Sequence, residues 1–147
     1  MTYLDTSALV KRFVSEAGSR EVQTLLTRGE PVASASIAYA ELYSGLTRRH
    51  REGGLSQLQY RRACRHFETD WMAFIKVDLG GEILSSARAL IQRHALRAFD
   101  AIHLASALGL QAAVNEPVTF MASDARLLRA ATGERLTAIN PESAHRR

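Results

Sequence analysis

Cysteine is almost absent: Cys64 stands alone, so no internal disulfide framework exists and thiolate metal chemistry has no second ligand. Long apolar runs are missing too. None approaches the ~20 residues needed to cross a bilayer, and the opening MTYLDTSALV lacks the basic stretch and apolar run of a signal peptide. The expectation is a cytoplasmic protein with no membrane partner. Internal repeats, low-complexity stretches and linkers are not found, and 147 residues suit one compact domain, taken here as 1–147. Lysine is scarce, with only Lys11 and Lys76, so the formal charge of +4 is carried by arginine. Arginine forks match phosphate oxygens, which suits a nucleic-acid partner, although basicity alone is a weak signal.

Short apolar runs alternate with helix-period segments. Strands are expected at Met1–Leu4, Pro31–Ser34, Phe74–Val77, Val118–Ala122 and Leu136–Ile139. Helices are expected through Ala8, Leu9 and Phe13, over Ser19–Arg28, and over Ile37–Arg51 with Ser36 as its cap. Further helices run through Leu58, Phe67 and Trp71, over Glu82–His94, over Ala101–Leu110 and around Ala125–Ala131. Strands separated by helices indicate an α/β fold, a parallel sheet covered on both faces. Ligands of such sheets bind beyond the carboxyl ends of the strands.

Acidic residues sit at that edge. Asp5 follows the first strand, Asp124 follows VTFMA one residue later, and Asp100 opens the helix AIHLASAL. Each alone suits a helix cap, since aspartate is among the best N-cap residues. Glu41 does not. It lies inside the helix IAYAELYSGL, with Ile37 and Ala38 one turn before it and Ser44 and Gly45 one turn after. A glutamate on that stripe is partly buried, and a buried carboxylate is costly unless paired or metal-bound. Two unit charges about 5 Å apart repel by roughly 3 kcal/mol at an effective dielectric of 20. Four converging carboxylates therefore call for a cation. Oxygen ligands select a hard ion, Mg²⁺ or Mn²⁺, suited to phosphodiester hydrolysis.

The run YLDTSALVKRF, the helix YAEL, the segment LRAFDAIHLASAL and the later FMASDARLL resemble the four acidic motifs of PIN domains. Their spacing is most similar to VapC-type toxins of toxin–antitoxin pairs, and the resemblance covers nearly the whole chain. It implies a Rossmann-like α/β/α sandwich and a ribonuclease that leaves a 5′-phosphate and a 3′-hydroxyl. Matched by position, Asp5 and Asp100 are the main metal-binding residues, Glu41 the motif glutamate and Asp124 the fourth, variable acid. Thr6 and Ser7, and equally Ser123, are hydroxyls that bond phosphate or water, or simply first-turn residues. The resemblance also implies an RNA substrate, a VapB-like antitoxin in the active-site groove and a homodimer. It says nothing of residues 140–147.

Other residues are weighed without it. Arg97, just before Asp100, is a candidate phosphate contact. Arg48, Arg49, Arg51, Arg61, Arg62 and Arg65 surround one helical hairpin, either as a solvated face or as an RNA-docking surface. His103 among Ile102, Leu104 and Ala105 reads as structural, Asp78 as a lead into the next helix, and Cys64 as helix packing. A phosphatase or receiver-like domain would want a second acid two residues after Asp5, where Ser7 stands. A catalytically idle PIN-like module is the non-enzymatic alternative.

Overall fold

The computed structural model describes residues 1–143; the last residues of the sequence, 144–147, lie outside the described part. The chain runs β1 (Thr2–Leu4), α1 (Thr6–Leu9) prolonged by a 3-10 turn at Val10–Arg12, α2 (Ser19–Leu26), β2 (Val32–Ala35), α3 (Ala38–Arg51) and α4 (Gln57–Ala73). There follow β3 (Ile75–Val77), α5 (Gly81–His94), α6 (Ala98–Val114), β4 (Thr119–Met121), α7 (Ala125–Gly133) and β5 (Thr137–Ile139). All four strand pairings are parallel, in the order β3-β2-β1-β4-β5.

Side chains alternate across a strand, so each strand feeds two cores. Tyr3, Ala33, Ala35 and Phe120 face a cluster shared with α5, α6 and α7. Leu4, Val32 and Met121 face the other, shared with the helices α1 to α4. The result is the expected three-layer sandwich around a parallel sheet. β1 is buried on both faces, and its Thr2 is buried along with Tyr3 and Leu4. The strand order reverses between β1 and β4, so their carboxyl ends open a crevice at the switch point.

Several local expectations are corrected. The first helix stops at Leu9 rather than running through Phe13, because the chain tightens at Val10–Arg12 and turns Val10 and Val14 into the core. Ser36 does not cap α3. Its hydroxyl donates instead to Asp78 Oδ1 at 2.6 Å, joining the segments that follow β2 and β3. Asp78 thus serves as an acceptor, and Gly80 takes the N-cap position of α5. α6 begins at Ala98, three residues before the expected start, so Asp100 lies within its first turn and Arg97 is the N-cap residue. Lys11 is buried, and its ammonium bonds Glu16 at 3.1 Å and Glu142 at 2.7 Å, which fastens the segment after β5 to the start of the chain.

Candidate active site

Asp5, Glu41, Asp100 and Asp124 line one pocket of about 680 Å³ at the carboxyl ends of β1 and β4. Four separate stretches deliver them. Asp5 leaves β1 as the N-cap of α1, its Oδ1 accepting from Ala8 N at 2.9 Å and Ser7 Oγ at 2.7 Å. Asp124 caps α7 in the same way, Oδ1 accepting from Leu127 N at 2.8 Å. Capping and site membership therefore coexist: one carboxylate oxygen closes a helix, while Oδ2 is left over. Asp100 caps nothing. Burial pushes the Asp5 carboxyl above its ordinary range; the negative charge of Asp100 adds to the rise, and His103 with the Ser7 and Ala8 bonds opposes it.

Glu41 projects from the first turns of α3 into a network that the sequence did not reveal. Its Oε1 accepts from Thr6 Oγ1 at 2.9 Å and meets His103 Nε2 at 2.7 Å. The other ring nitrogen, Nδ1, meets the Tyr3 hydroxyl at 2.8 Å. Tyr3 is fully buried, and desolvation holds its phenol well above the usual range, so the proton stays on the oxygen. With a phenol on one side and a carboxylate on the other, a neutral ring satisfies both partners only as the Nε2–H tautomer. Burial raises the Glu41 pKa, but the hydrogen bonds from His103 and Thr6 overcome it, leaving this carboxyl below the ordinary glutamate range.

The remaining candidates separate. Thr6 and Ser7 line the pocket, yet both hydroxyls already serve carboxylates, Thr6 on Glu41 and Ser7 on Asp5. Ser123 is corrected: its hydroxyl is buried away from the pocket, and it acts through its backbone N–H, which donates to Ser7 Oγ at 3.0 Å. Arg97 stands at the mouth, its Nε 3.2 Å from Asp100 Oδ2 and its Nη2 3.9 Å from Asp124 Oδ2. Arg48 and Arg49 of the basic hairpin line the pocket, whereas Arg61 and Arg65 are exposed on α4 outside it. Of the pocket residues, Phe99 escaped the sequence reading, and His103, read there as structural, proves to line the site as well. Their spacing from Asp100, one residue before and three after, was the available signal.

Among the described residues no three His, Cys, Asp or Glu side chains already stand close enough to share one ion. The expectation of a converged cluster is narrowed accordingly: the four acids share a pocket, and Arg97 is the cation between two of them. The donor chemistry nonetheless fits a hard divalent ion. The pocket offers carboxylate oxygens and no sulfur, and Asp5 Oδ2 and Glu41 Oε2 carry no protein hydrogen bond among the described residues.

A parallel sheet of this order with carboxylates at its switch point narrows the choice of family, and the comparison with known families decides it. The PIN domain model matches residues 2–133. The chain belongs to the PIN domain family. This PIN domain is similar to Ribonuclease VapC45 of Mycobacterium tuberculosis (strain CDC 1551 / Oshkosh), with 35% identity over 110 residues, 75% of this chain and 76% of that protein. Ribonuclease VapC47 of the same organism is 30% identical over 132 residues, 87% of this chain and 88% of that one. Among solved structures, FitAcB from Neisseria gonorrhoeae superposes with a TM-score of 0.65 at 20% identity, covering 96% of this PIN domain and 98% of that chain. A toxin–antitoxin complex from Klebsiella pneumoniae gives 0.64 at 19% identity over the same shares. The expected sandwich and the family resemblance are both borne out. No helix among the described residues is long and apolar enough to cross a membrane.

Proposed function

We propose that this PIN-domain protein is an endoribonuclease dependent on Mg²⁺ or Mn²⁺, and the toxin of a toxin–antitoxin pair. One observation carries the reading: four carboxylates from four separate stretches line one pocket that Arg48, Arg49 and Arg97 also line. Relatives named as VapC ribonucleases support the same activity. A VapB-like antitoxin, a homodimer, a cytoplasmic location and a single domain over 1–147 belong to the proposal.

Asp5 and Asp100 would hold the ion, with Asp124 and Glu41 completing its surroundings directly or through water. Bound there, a divalent ion supplies Lewis acidity and lowers the pKa of water. The chain's own residues do the rest. His103 and Thr6 fix Glu41 through Oε1, which leaves Oε2 to accept a proton from attacking water. Ser7 and the first turn of α1 hold Asp5 in one rotamer. Arg97, with its side chain 79% exposed, can exchange its carboxylate contacts for a substrate phosphate, and Arg48 and Arg49, the latter paired with Glu16, add positive charge to the same pocket.

Purified protein is expected to cut unstructured RNA with Mn²⁺, to stop with EDTA, and to leave 5′-phosphate ends. Asp5→Asn should abolish the cut while the protein remains folded. Equal cleavage by Asp5→Asn would expose a contaminating nuclease and return the chain to the idle-module reading.

A further inference from the structure

Phe99 is out of place as a structural residue. Of the five phenylalanines, Phe13, Phe67, Phe74 and Phe120 each pack against another ring. Phe99 has no ring partner among the described residues and is 56% exposed. It sits in the first turn of α6 on the lip of the acidic pocket, between Arg97 and Asp100. A large apolar ring held in water gains nothing for the fold, and it stands just before the stretch of α6 from Ala101 to Ala107 that is continuously buried.

The surroundings indicate what covers it. α3 adds Ser44 and Gly45 to the same lining, and the Arg49 guanidinium rests against Gly45, where an added Cβ would meet its Nη1 at 3.2 Å. Gly45 lies inside a helix, where glycine costs about 1 kcal/mol relative to alanine. The pocket continues past Ser44 and Arg48 into a second depression of about 510 Å³ that Arg51 also lines. A carboxylate centre thus shares its pocket with arginines from α3 and with Arg97, and with one exposed aromatic ring. Polyanion contacts from arginine and a π-face for each base are the two parts of a single-strand nucleic-acid site.

Building on the nuclease reading, we propose that Phe99 is a base-stacking residue that receives an unpaired RNA base beside the phosphate held at the carboxylates. Stacking requires a base that has left its helix, so Phe99 selects a splayed nucleotide at the cut. The ring tolerates any base and reads no hydrogen-bond edge.

The test uses the full chain as Asp5→Asn, which prevents turnover, with Mn²⁺ and a short unstructured RNA carrying 2-aminopurine at each position in turn. One position should lose fluorescence on binding. Phe99→Leu, which keeps apolar bulk without a π-face, should abolish that quench and weaken binding about 5- to 150-fold. Phe99→Trp should restore both, and RNA abasic at the quenched position should bind equally well with and without the Phe99→Leu substitution. Equal melting temperatures guard against a folding effect. Unchanged affinity in Phe99→Leu overturns the proposal, as does an equal loss on intact and abasic RNA, which would make Phe99 a shaper of the pocket. Absence of Mn²⁺-dependent cleavage by the unsubstituted protein, with the quench persisting, would sink the nuclease reading and leave the stacking role standing.

Discussion

Tyr3→Phe removes one buried oxygen and little else. The ring stacks on Phe120 with centroids 5.6 Å apart and remains fully buried, so packing survives. What disappears is the 2.8 Å bond to His103 Nδ1, and that nitrogen lies in a residue only 2% exposed, where water does not replace the lost partner. Orphaning a buried polar atom costs about 1–3 kcal/mol. For a chain of this size each kcal/mol lowers the melting temperature by about 2–4 °C, so a fall of about 2–12 °C is expected. A second effect should accompany it. Without a donor at Nδ1 the ring is free to place its proton there, and Glu41 then loses the Nε2–H that holds it. Calorimetry and RNA-cleavage rates on Tyr3→Phe, His103→Leu and the double variant measure the coupling. The second substitution should add little once the first is made. Additive losses, or a Tyr3→Phe melting temperature within about 1 °C of the unsubstituted protein, would refute the linked Tyr3–His103–Glu41 network.

Other consequences follow from the same geometry. Burial raises the Asp5 pKa, so the folded state binds the proton more tightly than the unfolded one, and the resulting stability is present below the ordinary aspartate range and lost as pH rises through the folded value. Without metal, Asp5→Asn should therefore melt higher than the unsubstituted protein at neutral pH, the gap closing as pH falls toward 4, which thermal melts across pH can check. Mn²⁺ at about a hundred times its Kd should stabilise the unsubstituted protein by about 2.7 kcal/mol and raise its melting temperature by about 5–10 °C, with a much smaller shift in Asp5→Asn. Lys11→Ala should destabilise, but by less than the ~3–5 kcal/mol of breaking a fully buried pair, because Glu16 and Glu142 are partly exposed; denaturant unfolding measures the loss. Charge reversal at Arg48 and Arg49 should weaken RNA binding and flatten its salt dependence, read from titrations at several ionic strengths.

Alternation of apolar runs with helix-period segments was enough to give the sandwich, because β1 and β4 lie between two cores and α6 is buried continuously from Ala101 to Ala107. Element boundaries were less legible. Ser36 looks like a cap and is diverted to Asp78, a partner 42 residues away whose proximity exists only once β2 and β3 pair. Asp100 looks like a helix start because the residues before it, Arg97 to Phe99, carry no capping side chain. Among site residues, Glu41 was readable from its burial-prone stripe, whereas His103 was set aside because an apolar neighbourhood is the usual mark of a packed histidine. That neighbourhood is real; the ring simply has a carboxylate on one side and a phenol on the other.

By itself the sequence determined the layers, the positions of the four acids, and the caps at Asp5 and Asp124, since these depend on local periodicity and on bonds within three residues. Tertiary structure alone decided that Tyr3 reaches His103 across 100 residues, that Arg97 spans Asp100 and Asp124, and that Phe99 is left uncovered. Those contacts are set by strand order, and strand order is fixed by which faces bury one another rather than by any pattern along the chain.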